Sequence, residues 1–247
     1  MKSIRTFLSV LILMIAILFM HSACKKEANA DNITINYERV EETVKDKQGN
    51  IIAEMYFNKP VFGGSSPLIK KLNSYFENEV QGFFNGYEKS LHFKKSQRDH
   101  FFESVTEMRT LYEDDILAKS PLYYKVEIEL QCDNNILSFK ETEDWMAGGI
   151  RNTYYYGITV NKETGDILSL ENIADEDIKN FNDKVILALN NELNENSREY
   201  DLEPLFSEIE NYNFSDYEFY CDENNIYIIF NYEIFSTGGF ILKLSKD

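Results

Sequence analysis

Between Leu122 and Leu130 the chain reads LYYKVEIEL, with Tyr124, Val126, Ile128 and Leu130 in one phase and Lys125, Glu127 and Glu129 in the other. Side chains of an extended chain alternate between two faces, so this segment predicts a strand with one dry and one wet face. The stretch CDNNILSF (132–139) follows as a turn into a second strand, and CDENNIYIIF (221–230) repeats the arrangement. Asparagine tolerates the left-handed backbone of a tight hairpin turn. Each apolar strand then leads to a glycine pair, Gly148-Gly149 and Gly238-Gly239. Strands that are wet on one face and joined by tight turns belong in an antiparallel sheet covered on its other face.

The rest of the chain supplies the cover. A hairpin is predicted from Ile33 onward, turning at Lys47-Gln48-Gly49-Asn50 and placing Ile51, Ala53, Met55 and Phe57 on one face. Ser65-Ser66-Pro67 marks a helix start, with serine to cap and proline in the first turn. Ile69, Leu72, Phe76, Val80 and Phe83 continue at helical spacing, and a second helix carries Phe101, Val105, Met108 and Tyr112. Farther on, Asp175, Glu176 and Asp177 stand before Ile178, Phe181, Val185, Ile186, Leu189 and Leu193. Acidic side chains suit the positive end of a helix dipole, and the glycine and distal glutamate of a calcium loop are missing, so the trio reads as a cap. With 43% hydrophobic residues and only four prolines, the chain can bury a sizeable core. The expected fold is α+β: an antiparallel, twisted sheet with helices packed on it, in two closely joined halves, 33–120 and 121–247.

The N-terminus reads as a targeting segment. Lys2 and Arg5 precede an uncharged run from Phe7 to Met20, short for a membrane span and suited to a signal peptide. His21-Ser22-Ala23-Cys24 then resembles a lipobox, with His21 where leucine is usual. The expectation is a lipoprotein signal peptide over 1–23, a lipidated Cys24 and a polar tether over 24–32, placing the protein outside the cytoplasm on a bacterial membrane. An ordinary signal peptide that leaves Cys24 as a thiol is the alternative. Loss of Lys2 and Arg5 takes the net charge from −17 to −19. Such a charge argues against nucleic acid and suits either a basic partner or a well-solvated surface. Cys132 and Cys221 remain as a candidate disulfide or as two buried thiols.

Little in the sequence points to a reaction. His92 and His100, both in a predicted helical region, lie eight positions apart, too far for the one-turn spacing of paired metal ligands. No metalloprotease, redox, nucleophile-elbow or phosphate-loop pattern is present, and 42 acidic residues guarantee coincidental carboxylate pairs. The expectation is therefore no enzyme, no metal and no cofactor, with an uncharacterised hydrolase as the third choice. No helix start follows Gly148-Gly149, so the pair reads as a bend and not as an anion site. Trp145, Arg151, Tyr154 and Tyr155 near that bend are the partner-binding candidates, since Trp, Tyr and Arg dominate binding hot spots. For Tyr154 and Tyr156, alternation with Ile158 and Val160 also fits a core face.

Three stretches resemble the DUF4163/DUF3298 pair of bacterial extracytoplasmic modules: the glycine pair before a strand, VNKETGDILSLENI (160–173), and FYCDENNIYIIFNYEIFSTGGFILKL (219–244). The DUF3298-like part covers about 122–244; the DUF4163-like part rests on element order and NKPVFGGSSPLIKKLNSYF (58–76). Relatives often carry a histidine just after the glycine pair, where this chain has Ile150-Arg151, so no role of that histidine carries over. The family includes the extracellular, lysozyme-binding part of a lysozyme-sensing anti-sigma factor. Six residues precede the hydrophobic run, too few for a cytoplasmic sigma-binding domain. The resemblance thus implies a sensing or binding module alone, with lysozyme or another basic wall-active protein as partner. A peptidoglycan or carbohydrate binder that stacks sugars on Trp145 and Tyr155 is the alternative.

Overall fold

A computed structural model describes residues 33–147, 150–195, 203–231 and 238–246. The expected signal peptide (1–23), the tether (24–32) with Cys24, Gly148-Gly149, the Leu193 side chain and residues 232–237 lie outside the described residues. The first hairpin pairs β1 (Thr34–Lys45) with β2 (Ile51–Gly63). Its turn is held by the Asp46 carboxylate, which accepts from the Gln48 and Asn50 N–H groups at 2.9 and 2.7 Å. Three helices follow, α1 (Pro67–Asn85), α2 (Arg98–Leu111) and the short α3 (Asp114–Leu117), before β3 (Leu122–Asp133), β4 (Ile136–Ala147) and β5 (Ile150–Asn161). The sheet order is β1-β2-β3-β4-β5.

The fold is α+β with helices on the sheet, as expected, but this sheet is mixed and not wholly antiparallel. β2 and β3 run parallel, with Ala53 opposite Leu122 and Asn58 opposite Glu127, while β3, β4 and β5 are antiparallel. The reason is the helical connection: α1 to α3 carry the chain back along the sheet, and a crossover of that length delivers the next strand in the same direction. A second, antiparallel sheet comprises β6 (Glu218–Cys221), β7 (Asn225–Phe230) and β8 (Phe240–Ser245), with α4 (Ile178–Glu195) and α5 (Glu203–Ile209) contributing to its core. Among the described residues no helix is long and apolar enough to cross a membrane.

Each sheet has its own apolar filling. Ser66 Oγ accepts from the Ile69 N–H to start α1, and the whole stripe Ile69, Leu72, Phe76, Val80 and Phe83 is buried. Phe76 meets Phe62 and Phe139 at ring separations of 5.8 and 5.3 Å, and Phe83 meets Phe57 and Tyr124 at 5.7 and 5.0 Å. On α4, Asp177 Oδ1 accepts from the Lys179 and Asn180 N–H groups, so the acidic trio does include a cap, and Phe181, Val185 and Leu189 pack with Phe219, Ile228, Phe230 and Leu242. Two sequence expectations shift. Tyr112 is exposed because α2 ends at Leu111 and Tyr112 turns extended. Ile51 is also exposed, whereas β2 buries Ile52 and Tyr56 as well as Ala53, Met55 and Phe57, the Arg39 guanidinium lying 3.7 Å over the Tyr56 ring.

The two sheets meet where β6 crosses β5. A Cβ on Gly157 would sit 1.8 Å from the Phe219 carbonyl oxygen, so only glycine lets the two backbones approach this closely. Beside it, Ser138 Oγ lies 2.8 Å from Thr159 Oγ1 and accepts from the Cys221 N–H at 2.9 Å. Gly165, at φ +70°, makes the turn that brings Ile167 opposite Val160. Gly157→Ala is expected to cost about 3 kcal/mol or more, the upper range for overpacking, because the obstacle is backbone. Gly49→Ala has open space around it and is expected to cost about 1–2 kcal/mol from its left-handed backbone alone. Urea unfolding of both variants checks the ranking.

Candidate functional site

The seam also gathers the polar groups of the interior. On β4, Leu137, Phe139, Glu141, Glu143 and Trp145 share one phase, so both glutamates point with Phe139 toward the helices. Glu79 sits on the buried stripe of α1 between Phe76 and Phe83, fully enclosed. Its two oxygens accept from Ser90 Oγ (2.8 Å), the Leu91 N–H (2.8 Å) and the His92 N–H (3.3 Å), and so staple the loop after α1. His92 therefore lies in that loop and not in a helix, while His100 is exposed on α2.

The staple lays the His92 ring flat on Tyr156 of β5, with centroids 4.4 Å apart and planes 20° apart. Nδ1 then stands 3.5 Å from Glu141 and 3.8 Å from Glu79, and Nε2 stands 3.9 Å from Glu218 at the start of β6. Glu143 accepts from the Tyr124 and Tyr156 hydroxyls. Four buried atoms in the neighbourhood make no hydrogen bond: His92 Nδ1, both Glu141 oxygens and the Tyr75 hydroxyl. Three carboxylates, Glu79, Glu141 and Glu218, thus converge on one imidazole from α1, β4 and β6, and Glu143 joins them through Tyr156, on which the ring stacks. No group of three His, Cys, Asp or Glu side chains among the described residues could hold a metal ion.

Glu218 opens the cluster to solvent. Its Oε1 accepts from the Gly157 N–H at 2.7 Å, and 39% of its side chain is exposed, against 8% for His92 and none for Glu141. The opening is a cleft of about 430 Å³ whose floor includes His92 and Glu218 and whose sides include Leu91, Ile167, Phe214 and Tyr217. That volume falls within the range of small-ligand pockets.

The expected partner-binding residues lie elsewhere and divide between the faces of the sheet. Trp145 is opposite Asn152 and Tyr154 opposite Glu143, so both belong to the helix-facing side, with Trp145 6.5 Å from Tyr124. Arg151 and Tyr155 belong to the other side. Arg151 is exposed, and its guanidinium is held by the buried Asp144 at 3.0 and 3.1 Å. The Tyr155 backbone is bonded on both its N–H and C=O to the Asn231 side chain. Trp145 and Tyr155 therefore form no common stacking row.

This architecture matches solved structures. The chain superposes on the crystal structure of a DUF3298 family member from Bacteroides fragilis NCTC 9343 with a TM-score of 0.55, at 18% identity, over 88% of this chain and 92% of the other. The chain has the fold of a DUF3298 protein. A DUF3298 family protein from Pseudomonas aeruginosa PAO1 aligns over 87% of this chain and 92% of its own, at 11% identity and a TM-score of 0.47. No family model matches the sequence, and no curated protein matches it.

The cluster makes stability depend on pH with one sign. Burial pulls the His92 pKa down, but Glu141, Glu218 and Glu79 outweigh it and push it up from 6.5 to about 9. Folding then takes up a proton at His92, so that contribution is complete below about pH 6.5 and is lost as pH rises through about 9. Burial also holds Glu79, Glu143 and Glu218 above the usual carboxylate range. Their ionisation likewise costs stability as pH rises above 4.5 through the raised values. Thermal unfolding is expected to show Tm falling from pH 6.5 to pH 9.5, and His92→Gln is expected to flatten that decline.

Proposed function

We propose that the protein is a binding protein of the bacterial envelope, tethered by a lipid on Cys24, which holds its ligand in the cleft at the seam of the two sheets. The observation that supports this reading is the chemistry of the cleft: a partly exposed carboxylate, Glu218, set among Leu91, Ile167 and Phe214. A ligand suited to it carries a cationic group beside an apolar surface. Arginine and lysine segments of a basic wall-active protein have that character, and lysozyme is the partner to test first. The mature net charge of −19, after loss of Lys2 and Arg5 from −17, adds long-range attraction to such a partner.

His92 acts in the cluster as a charged partner and not as a general base. With its pKa near 9 the imidazole is already protonated at neutral pH, so it has no lone pair with which to act as a general base. It serves as a fixed charge that keeps Glu141 and Glu218 in place. Titration of the full chain in detergent with lysozyme should show binding at low salt that weakens at moderate salt. Glu218→Gln should weaken it at least tenfold, whereas Glu129→Gln, at an exposed position of β3, should not. Absence of binding at both salt concentrations would eliminate lysozyme as the ligand, and equal affinity of the Glu218 variant would move the site away from the cleft.

A further inference from the structure

Cys132 is the second-to-last residue of β3 in the main sheet and Cys221 ends β6 in the second sheet, 89 positions later in the sequence. The fold brings them to one place. Cys132 is opposite Ser138 across the β3–β4 pair, after an irregularity that shifts the register between Leu130 and Cys132. The hydroxyl of that same Ser138 accepts from the Cys221 N–H at 2.9 Å. Both cysteines are buried, 3% and 0% exposed, in a small cluster of their own with Ile136, edged by Leu168 and Ile173. Burial, and then the neighbouring Cys221 sulfur, push the Cys132 thiol up, so in the folded protein it is a poor nucleophile.

We propose that Cys132 and Cys221 form a disulfide that locks the second sheet to the main sheet. In this structure both are buried free thiols, but the shared serine and the small cluster with Ile136 hold them in one side-chain layer. Closure releases two protons and two electrons. A disulfide oxidant, such as a thiol oxidase or oxidised glutathione, takes them up and is reduced to two thiols. One cysteine thiolate attacks the oxidant's disulfide and expels a thiol, and the second cysteine attacks the resulting mixed disulfide. Because both sulfurs are shielded in the finished fold, the exchange takes place on the partly folded chain. The bridge spans a long loop, the case in which a cross-link restricts the unfolded chain most.

In its native setting this inference rests on the envelope location proposed above, and two arms separate the questions. Full-length protein isolated from its own membrane, alkylated in denaturant without reductant and digested, should yield one peptide pair joining Cys132 to Cys221. Full-length protein made in a reducing cytoplasm and refolded with a glutathione redox buffer should yield the same pair. The pair in the refolded sample alone supports the disulfide and counts against the location; alkylated thiols at both positions in both samples overturn the disulfide. The oxidised form should melt about 10 °C above the reduced form. A Cys132→Ala, Cys221→Ala double variant should melt as the reduced protein does and ignore reductant. Equal melting of oxidised and reduced forms would overturn the proposed lock.

Discussion

One imidazolium among three carboxylates is the constraint on which the seam depends. Glu79, Glu141 and Glu218 come from three different elements, and His92 is the cation that lies among them, with Glu143 buried beside Tyr156. Taking charges out of water costs several kcal/mol for each ion, so every one of them needs a compensating interaction. Glu79 finds three donors in the loop that it staples, Glu143 finds two tyrosine hydroxyls, and Glu218 finds the Gly157 amide and partial solvation. Among the described residues Glu141 has only His92 as its charge partner, 3.5 Å away. The histidine in turn is positioned by Glu79 below it and Tyr156 behind it. Removal of His92 leaves Glu141 buried and uncompensated, so the cluster is a mutual arrangement and not a sum of separate pairs.

The same geometry explains why the second sheet docks where it does. β6 can reach the cluster only by passing over β5 at backbone contact, which Gly157 permits. Once there, Glu218 closes the electrostatic gap on one side, and Ser138 meets the Cys221 amide on the other. The cleft is a by-product of this docking: its walls come from the loop after α1, the turn around Ile167 and the segment leading into β6. No single half of the sequence could make it.

Much of the fold was legible because it is local. Alternation in 122–130, the two Asn-rich turns, the Ser66-Pro67 start, the Asp177 cap and the Gly165 turn each depend on residues within a few positions of one another. The parallel pairing of β2 with β3 was not legible, since alternation records which face is dry and says nothing of the neighbouring strand's direction. Nor was the division into two sheets, which turns on one glycine being crossed by a distant backbone. In the site, Glu141 and Glu143 did leave a signal: they stand in phase with Leu137 and Phe139, where a core residue belongs, and Glu79 interrupts the stripe from Phe76 to Phe83. A carboxylate in a dry phase is informative where a count of 42 acidic residues is not. His92 left none, because its place is set by a loop, and a loop residue has no period.

A cluster of this kind is a poor way to stabilise a fold. Apolar residues of similar volume at Glu141 and His92 would avoid the cost of desolvation, and the surrounding phenylalanines show that the chain can build a dry aromatic core. A cation arriving at Glu218 would relieve part of the excess negative charge that folding has gathered there. Its binding would then strengthen the contact between the sheets, and tighter contact between the sheets would in turn favour binding, because linkage between two equilibria acts equally in both directions. At the seam, ligand charge and fold stability would then be one equilibrium.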